Sequence, residues 1–187
     1  MKKFFTWWVV VLLLFVMMIL AGCYKKTNSS PIQLTTGDTV KVDYVGTFDD
    51  GKVFDTSIME KSKEAWIYQD GRLYQPLSVV LGEGMVIPGF EKAIKSLTAT
   101  WQSVKVRLEP QDAYGLSDPK KIGEVPLEIF TKAGIDPQVW ATYPFQNMQA
   151  IVLAISGNVI KLDANHPMAG KTLNFEITLQ EVTKSLQ

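Results

Sequence analysis

Two kinds of side chain in this sequence could contribute to a site: aromatic rings on segments far apart, and one acidic residue beside a ring. Tyr44 lies in Val42-Asp-Tyr-Val-Gly-Thr-Phe48, Phe54 and Asp55 in Gly51-Lys-Val-Phe-Asp-Thr-Ser57, Phe90 in Met85-Val-Ile-Pro-Gly-Phe90, Tyr114 in Asp112-Ala-Tyr-Gly115, and Phe175 in Leu173-Asn-Phe-Glu-Ile-Thr-Leu179. Taken singly, each aromatic is an ordinary core or turn residue. Asp55 is harder to dismiss, because a carboxylate beside Phe54 at a strand end must either face water or accept a buried hydrogen bond. Ser57, Asp163 and His166 could suggest hydrolysis, but no nucleophile-elbow spacing accompanies them.

The elements that must position these groups can be read from periodicity. Val40, Val42, Tyr44 and Gly46 alternate with Lys41, Asp43 and Val45, so this stretch is a strand. Asp49-Asp-Gly51 turns it, and Lys52 to Asp55 should return antiparallel. Residues 58 to 76 read as a flap, with a helix expected over Ile58–Gln69, a turn at Asp70-Gly71 and a solvated face at Lys61, Lys63 and Glu64. Leu77 to Leu81 is the next strand and Gly82-Glu-Gly84 a turn. Met85 to Leu97 reads as one helix packed across the sheet, with Val86, Phe90, Ile94 and Leu97 as its apolar stripe. Gln102 to Leu108 is a strand with Val104, Val106 and Leu108 inward. Asp163 to Gly170 is a turn, and Thr172 to Leu179 alternates as a half-buried strand with Leu173, Phe175, Ile177 and Leu179 on one face.

Four ordered blocks, Val42–Ser57, Leu81–Ile94, Asp112–Gly115 and Asp163–Leu179, resemble the FK506-binding-protein (FKBP) family of peptidyl-prolyl cis-trans isomerases. The long gap between the last two blocks resembles its SlyD-like branch, which carries an inserted chaperone domain. The likeness runs from about residue 35 to about residue 183. It implies an α+β fold, an antiparallel twisted sheet wrapped on one helix with a small β-rich insert, and isomerisation of X–Pro bonds without a cofactor or metal. It further implies that Tyr44, Phe54, Asp55, Val86, Ile87, Phe90, Tyr114 and Phe175 form the catalytic cup, with Tyr114 donating to a substrate carbonyl. Leu77 falls where the family often has a pocket aromatic, and Phe90 where some relatives have Trp. Both departures leave open a second reading, a non-catalytic holdase or peptide-binding module.

The implied organisation is a signal peptide over residues 1–22, a lipidated tether over 23–33, an isomerase domain over 34–116 and 163–184, and an inserted domain over 117–162. Within the insert, strands are expected at Lys121–Val125, Ala150–Ile155 and Val159–Leu162. A short helix is expected at Pro126–Lys132, and a hairpin turn at Ser156-Gly-Asn158. The insert has more apolar groups than so small a fold can bury, so an exposed apolar patch is expected. At the N-terminus, Lys2 and Lys3 precede an apolar run from Trp7 to Leu20, and Leu20-Ala-Gly-Cys23 follows. This pattern describes a secretory signal, and Cys23 resembles a lipoprotein lipidation site. An uncleaved anchor is the alternative. Either places the folded part outside the cytoplasm, held to the membrane.

The 187 residues carry 19 basic and 19 acidic side chains. This balance gives no basic excess for nucleic acid. One cysteine excludes an internal disulfide, and one histidine cannot build a metal site alone. The partners that the resemblance implies are unfolded or proline-containing polypeptides, and the N-terminal pattern adds a membrane.

Overall fold

A computed structural model of the chain describes residues 30–145 and 148–186. Residues 1–22 and Cys23, expected to be a signal and its lipidation site, lie outside the described residues.

The chain begins its main sheet with β1 (Thr39–Thr47), the strand expected from the Val40–Gly46 alternation. β1 pairs on one side with β9 (Leu173–Thr183), from Thr39↔Thr183 to Thr47↔Asn174. Its other side is shared by two short strands. β2 (Val53–Thr56) pairs with its C-terminal end and β3 (Leu77–Val80) with its N-terminal end. The flap leaves the sheet between them. β4 (Ser103–Leu108) completes the sheet against β9, and all of these pairings are antiparallel.

Within the flap, α1 is only Met59–Glu64, much shorter than the expected Ile58–Gln69. Trp66 follows with φ +58°, a left-handed conformation that cannot continue a right-handed helix. α2 (Pro88–Lys95) is also shorter than expected at its N-terminus. Ile87 is extended (ψ 146°) because the residue before a proline is pushed out of the α region, and Pro88 then takes the first helical position. Met85, Val86 and Ile87 therefore form an extended lead-in.

α2 lies across the sheet and buries Phe90, Ala93 and Ile94 against Val40, Val42, Val79, Leu108, Leu173, Phe175, Ile177 and Leu179. Leu173, Phe175, Ile177 and Leu179 of β9 face this core, as their period requires. Gly89 allows the close approach. A Cβ there would stand 2.5 Å from Leu108 Cδ2 and 2.9 Å from the Asp112 carbonyl.

A second sheet follows β4 in the order β5-β8-β7-β6. Its strands are β5 (Ile122–Pro126), β6 (Thr142–Phe145), β7 (Met148–Ser156) and β8 (Val159–Asp163), with α3 (Glu128–Lys132) after β5. It has its own core of Phe130, Ala150, Val152, Ile160 and Leu162. Ile129, Val139, Trp140, Met148, Ile155 and Val159 remain exposed. Among the described residues no helix is long and apolar enough to cross a membrane.

Candidate active site

The rings meet because each occupies an inward position on an element that the main sheet brings together. Tyr44 on β1 pairs with Ile177, two positions from Gly46↔Phe175 and on the same face of the sheet. Gly46 matters here because it has no side chain. A Cβ at this position would lie 2.7 Å from Phe54 Cζ and 3.1 Å from Phe175 Cε1, so glycine lets those two rings cross over the strand. Phe175 is the hub. Its centroid lies 5.1 Å from Phe90 and 5.7 Å from Phe54, both nearly perpendicular, and 6.5 Å from Tyr44. Tyr44 meets Phe90 edge-on at 5.8 Å. Edge-to-face packing places the positive rim of one ring against the negative face of the next.

These rings enclose a cavity of about 360 Å³ lined by Tyr44, Phe54, Asp55, Leu77, Gly84, Met85, Val86, Ile87, Phe90, Tyr114 and Phe175. All nine pocket residues expected from the sequence stand around it. Phe90 and Phe175 are buried at its floor, Leu77 and Tyr114 stand exposed at its lip, and Val86 and Ile87 arrive on the extended lead-in to α2. Gly84 and Met85, which the sequence reading placed in a turn and a helix, also line it.

Asp55 is held from three directions. Its Oδ2 accepts the Tyr44 hydroxyl at 2.6 Å, and its Oδ1 accepts the Thr56 amide at 2.9 Å. Oδ1 also pairs with the Arg72 guanidinium at 2.7 Å, and the same guanidinium nitrogen donates to the Thr56 carbonyl at 3.1 Å. Arg72 comes from the flap and lies over the Tyr74 ring, which stacks on Tyr68. Sequence reasoning missed Arg72, since no period or spacing marks a lone arginine in a loop as the partner of an aspartate so far upstream. Burial, then the bond and charge of Asp55, push the Tyr44 hydroxyl far above the ordinary phenol range. It therefore stays protonated and donates. Asp55, with both oxygens engaged, orients Tyr44 and is not placed to take a proton from a ligand.

Among the described residues, Ser57, Asp163 and His166 are not joined into a hydrolytic triad. The Ser57 hydroxyl donates to Asp43, Asp163 Oδ1 accepts from Asn165, and His166 Nδ1 accepts the Met168 amide.

A cup of four rings, with aliphatic walls and one fixed phenol–carboxylate pair, suits a compact apolar group. The chain matches the model of the FKBP-type peptidyl-prolyl cis-trans isomerase family over residues 30–180. It is 38% identical over 146 residues to the short-type peptidyl-prolyl cis-trans isomerase of Methanocaldococcus jannaschii, covering 78% of this chain and 92% of that protein. The FKBP-type isomerase SlyD of Aeromonas hydrophila is 28% identical over 147 residues, 76% of this chain and 61% of that one. The FKBP-type 16 kDa isomerase of Escherichia coli is 29% identical over 118 residues, 60% of this chain and 78% of that one. The chain belongs to the FKBP-type peptidyl-prolyl cis-trans isomerase family.

Proposed function

We propose that the protein accelerates X–Pro rotation in unfolded polypeptides outside the cytoplasm, with the second sheet gripping the chain while the cup acts on its prolines. The observation that carries the catalytic part is the convergence of Tyr44, Phe54, Phe90 and Phe175 on one cavity.

A prolyl amide rotates slowly because resonance flattens it, with a barrier near 20 kcal/mol. In the twisted transition state that resonance is lost and the carbonyl becomes less polar. Water stabilises the planar, polar amide more than the twisted one. An apolar cup withdraws that advantage and so binds the transition state better than either ground state. The proline ring would rest on Phe90 and Phe175, between Tyr44 and Phe54, with Val86 and Ile87 against the adjoining peptide. Ile87 caps α2, where the first amides have no partner within the helix, so its N–H can donate to a substrate carbonyl. Tyr114 would supply a second hydrogen bond at the lip. Each tenfold in kcat requires about 1.4 kcal/mol by which the cup favours the twisted form over the planar ones.

The gripping part is supported by the exposed apolar side chains of the second sheet, Trp140 being 73% exposed. Weak retention of an extended chain raises the local concentration of its prolines at the cup. The extracytoplasmic setting rests on the apolar run Trp7–Leu20 and on Cys23 as a lipidation site. Replacing Cys23 with Ser should release the protein from membranes or leave the precursor uncut, and unchanged mature mass and attachment would remove lipidation. For the activity, short prolyl peptides should relax faster in its presence. Suppression of aggregation without any acceleration would leave only the holdase reading.

A further inference from the structure

Tyr114 reaches the cavity from an exposed loop just after a 3₁₀ turn at Pro110–Asp112. A phenol so placed would sample several rotamers, and ordering it on binding would cost affinity. His166 covers it. The two rings lie face to face, with centroids 4.1 Å apart and planes 4° from parallel. His166 is itself held. Its Nδ1 accepts the Met168 amide at 3.1 Å, which leaves the proton of the neutral ring on Nε2, and its carbonyl accepts the Ala169 amide at 2.8 Å.

The loop carrying His166 is fastened to the loop carrying Tyr114 on both sides of the stack. On one side the buried Asn165 donates to the Asp118 carbonyl at 3.0 Å and accepts the Asp118 amide at 2.9 Å. Asp163 Oδ1 in turn accepts both the Asn165 amide and its side-chain nitrogen, each at 2.8 Å. On the other side the Gly170 amide donates to the Gly115 carbonyl at 2.8 Å.

We propose that His166 is a positioning residue of the isomerase site. It fixes the Tyr114 ring at the lip of the cup before substrate arrives, so that the hydrogen bond of Tyr114 to the peptide is made without first ordering the side chain. This rests on the cup being the isomerase site, and it adds a residue that touches neither proline nor cavity. The effect belongs in KM more than in kcat, because both planar isomers and the twisted form use the same lip.

A double-mutant cycle on the full chain tests it. The kcat and KM for a short prolyl peptide, and the Kd for the same peptide, are measured for the native protein, His166→Ala, Tyr114→Ala and the double variant, with Tm recorded for each. His166→Ala should lower kcat/KM about three- to tenfold, mostly through KM. In the Tyr114→Ala background it should do nothing further. His166→Phe, which keeps a flat ring, should restore most of the loss. Multiplying single effects, an unaltered His166→Ala, or no rescue by Phe would each overturn the proposal. If His166→Ala lowers Tm, His166→Leu replaces it in the cycle. An inactive native protein would remove the isomerase reading alone, and the same cycle in Kd would still decide the stack.

Discussion

At the scale of single residues, the site is a set of side chains whose freedom has been removed in advance. Tyr44 shows how. Its ring is a wall of the cup and its hydroxyl is committed to Asp55. Because burial and Asp55 raise its pKa, the neutral phenol is the favoured form. That contribution is fully present below the ordinary value of 10.0 and is lost only as pH rises through the higher folded value. The pH profile of kcat/KM should therefore show no step from Tyr44 up to about pH 10. The Tyr44→Phe profile should run parallel to it, lower by a few-fold; a step near pH 10 that disappears in Tyr44→Phe would show the phenol titrating normally. Asp38 illustrates the opposite sign. The Lys184 ammonium, then the Thr35 and Ser185 amides, hold its carboxyl well below the usual carboxylate range. The stability it contributes is present above the ordinary value of 3.8 and lost as pH falls towards the folded one. Asp38→Asn should accordingly lower Tm at neutral pH, with the gap to the native protein narrowing below about pH 4.

At the scale of elements, the cup exists because β1 can be crossed. Gly46→Ala would drive a methyl group into Phe54 and Phe175. Overpacking of this kind costs about 1–3 kcal/mol. Thermal unfolding should record that loss, and prolyl-peptide affinity should fall with it; an unchanged Kd would mean that the two rings do not need this crossing. Much of this level was legible in the sequence. The alternation of Leu173, Phe175, Ile177 and Leu179 placed β9, since a strict period carries local information, whereas the lining around Tyr44, Phe54, Phe90 and Tyr114 was named by the family resemblance of their blocks. What escaped is what local pattern does not hold. The α1 helix stops where Trp66 turns left-handed, although its residues continue a helical spacing. α2 begins at Pro88 because of backbone sterics that an apolar stripe extending back to Val86 conceals. β6, Thr-Tyr-Pro-Phe145, has too few residues and a proline, and it becomes a strand only through its pairing with β7. Arg72 finds Asp55 through the folded flap alone.

At the scale of the whole molecule, two sheets with separate cores share one chain, and the crossings between them run past the lip of the cup at Tyr114, Asp118 and Asn165. In the proposed division of labour, the second sheet holds and the first isomerises. Trp140 is the residue on which to test it. It is exposed, stands at φ +69° and contributes a backbone amide, not its ring, to the Val152 carbonyl. Asn tolerates that backbone conformation, so Trp140→Asn should fold normally. It should suppress aggregation of an unfolded protein less well while leaving turnover of short peptides unaltered. Equal loss on both substrates would make the second sheet a structural part of the cup.

The central claim is that rings from four distant segments bind a prolyl bond best when it is half-rotated. The most direct measurement is the cis-to-trans relaxation of a short X–Pro peptide under catalytic amounts of the native protein and of Phe54→Ala, whose ring is a half-buried wall of the cup. The native protein should accelerate relaxation well above the uncatalysed rate, and Phe54→Ala, still folded, should lose about tenfold or more of kcat/KM, the equivalent of about 1.4 kcal/mol. No acceleration by the native protein, or full activity without the Phe54 ring, would contradict the account.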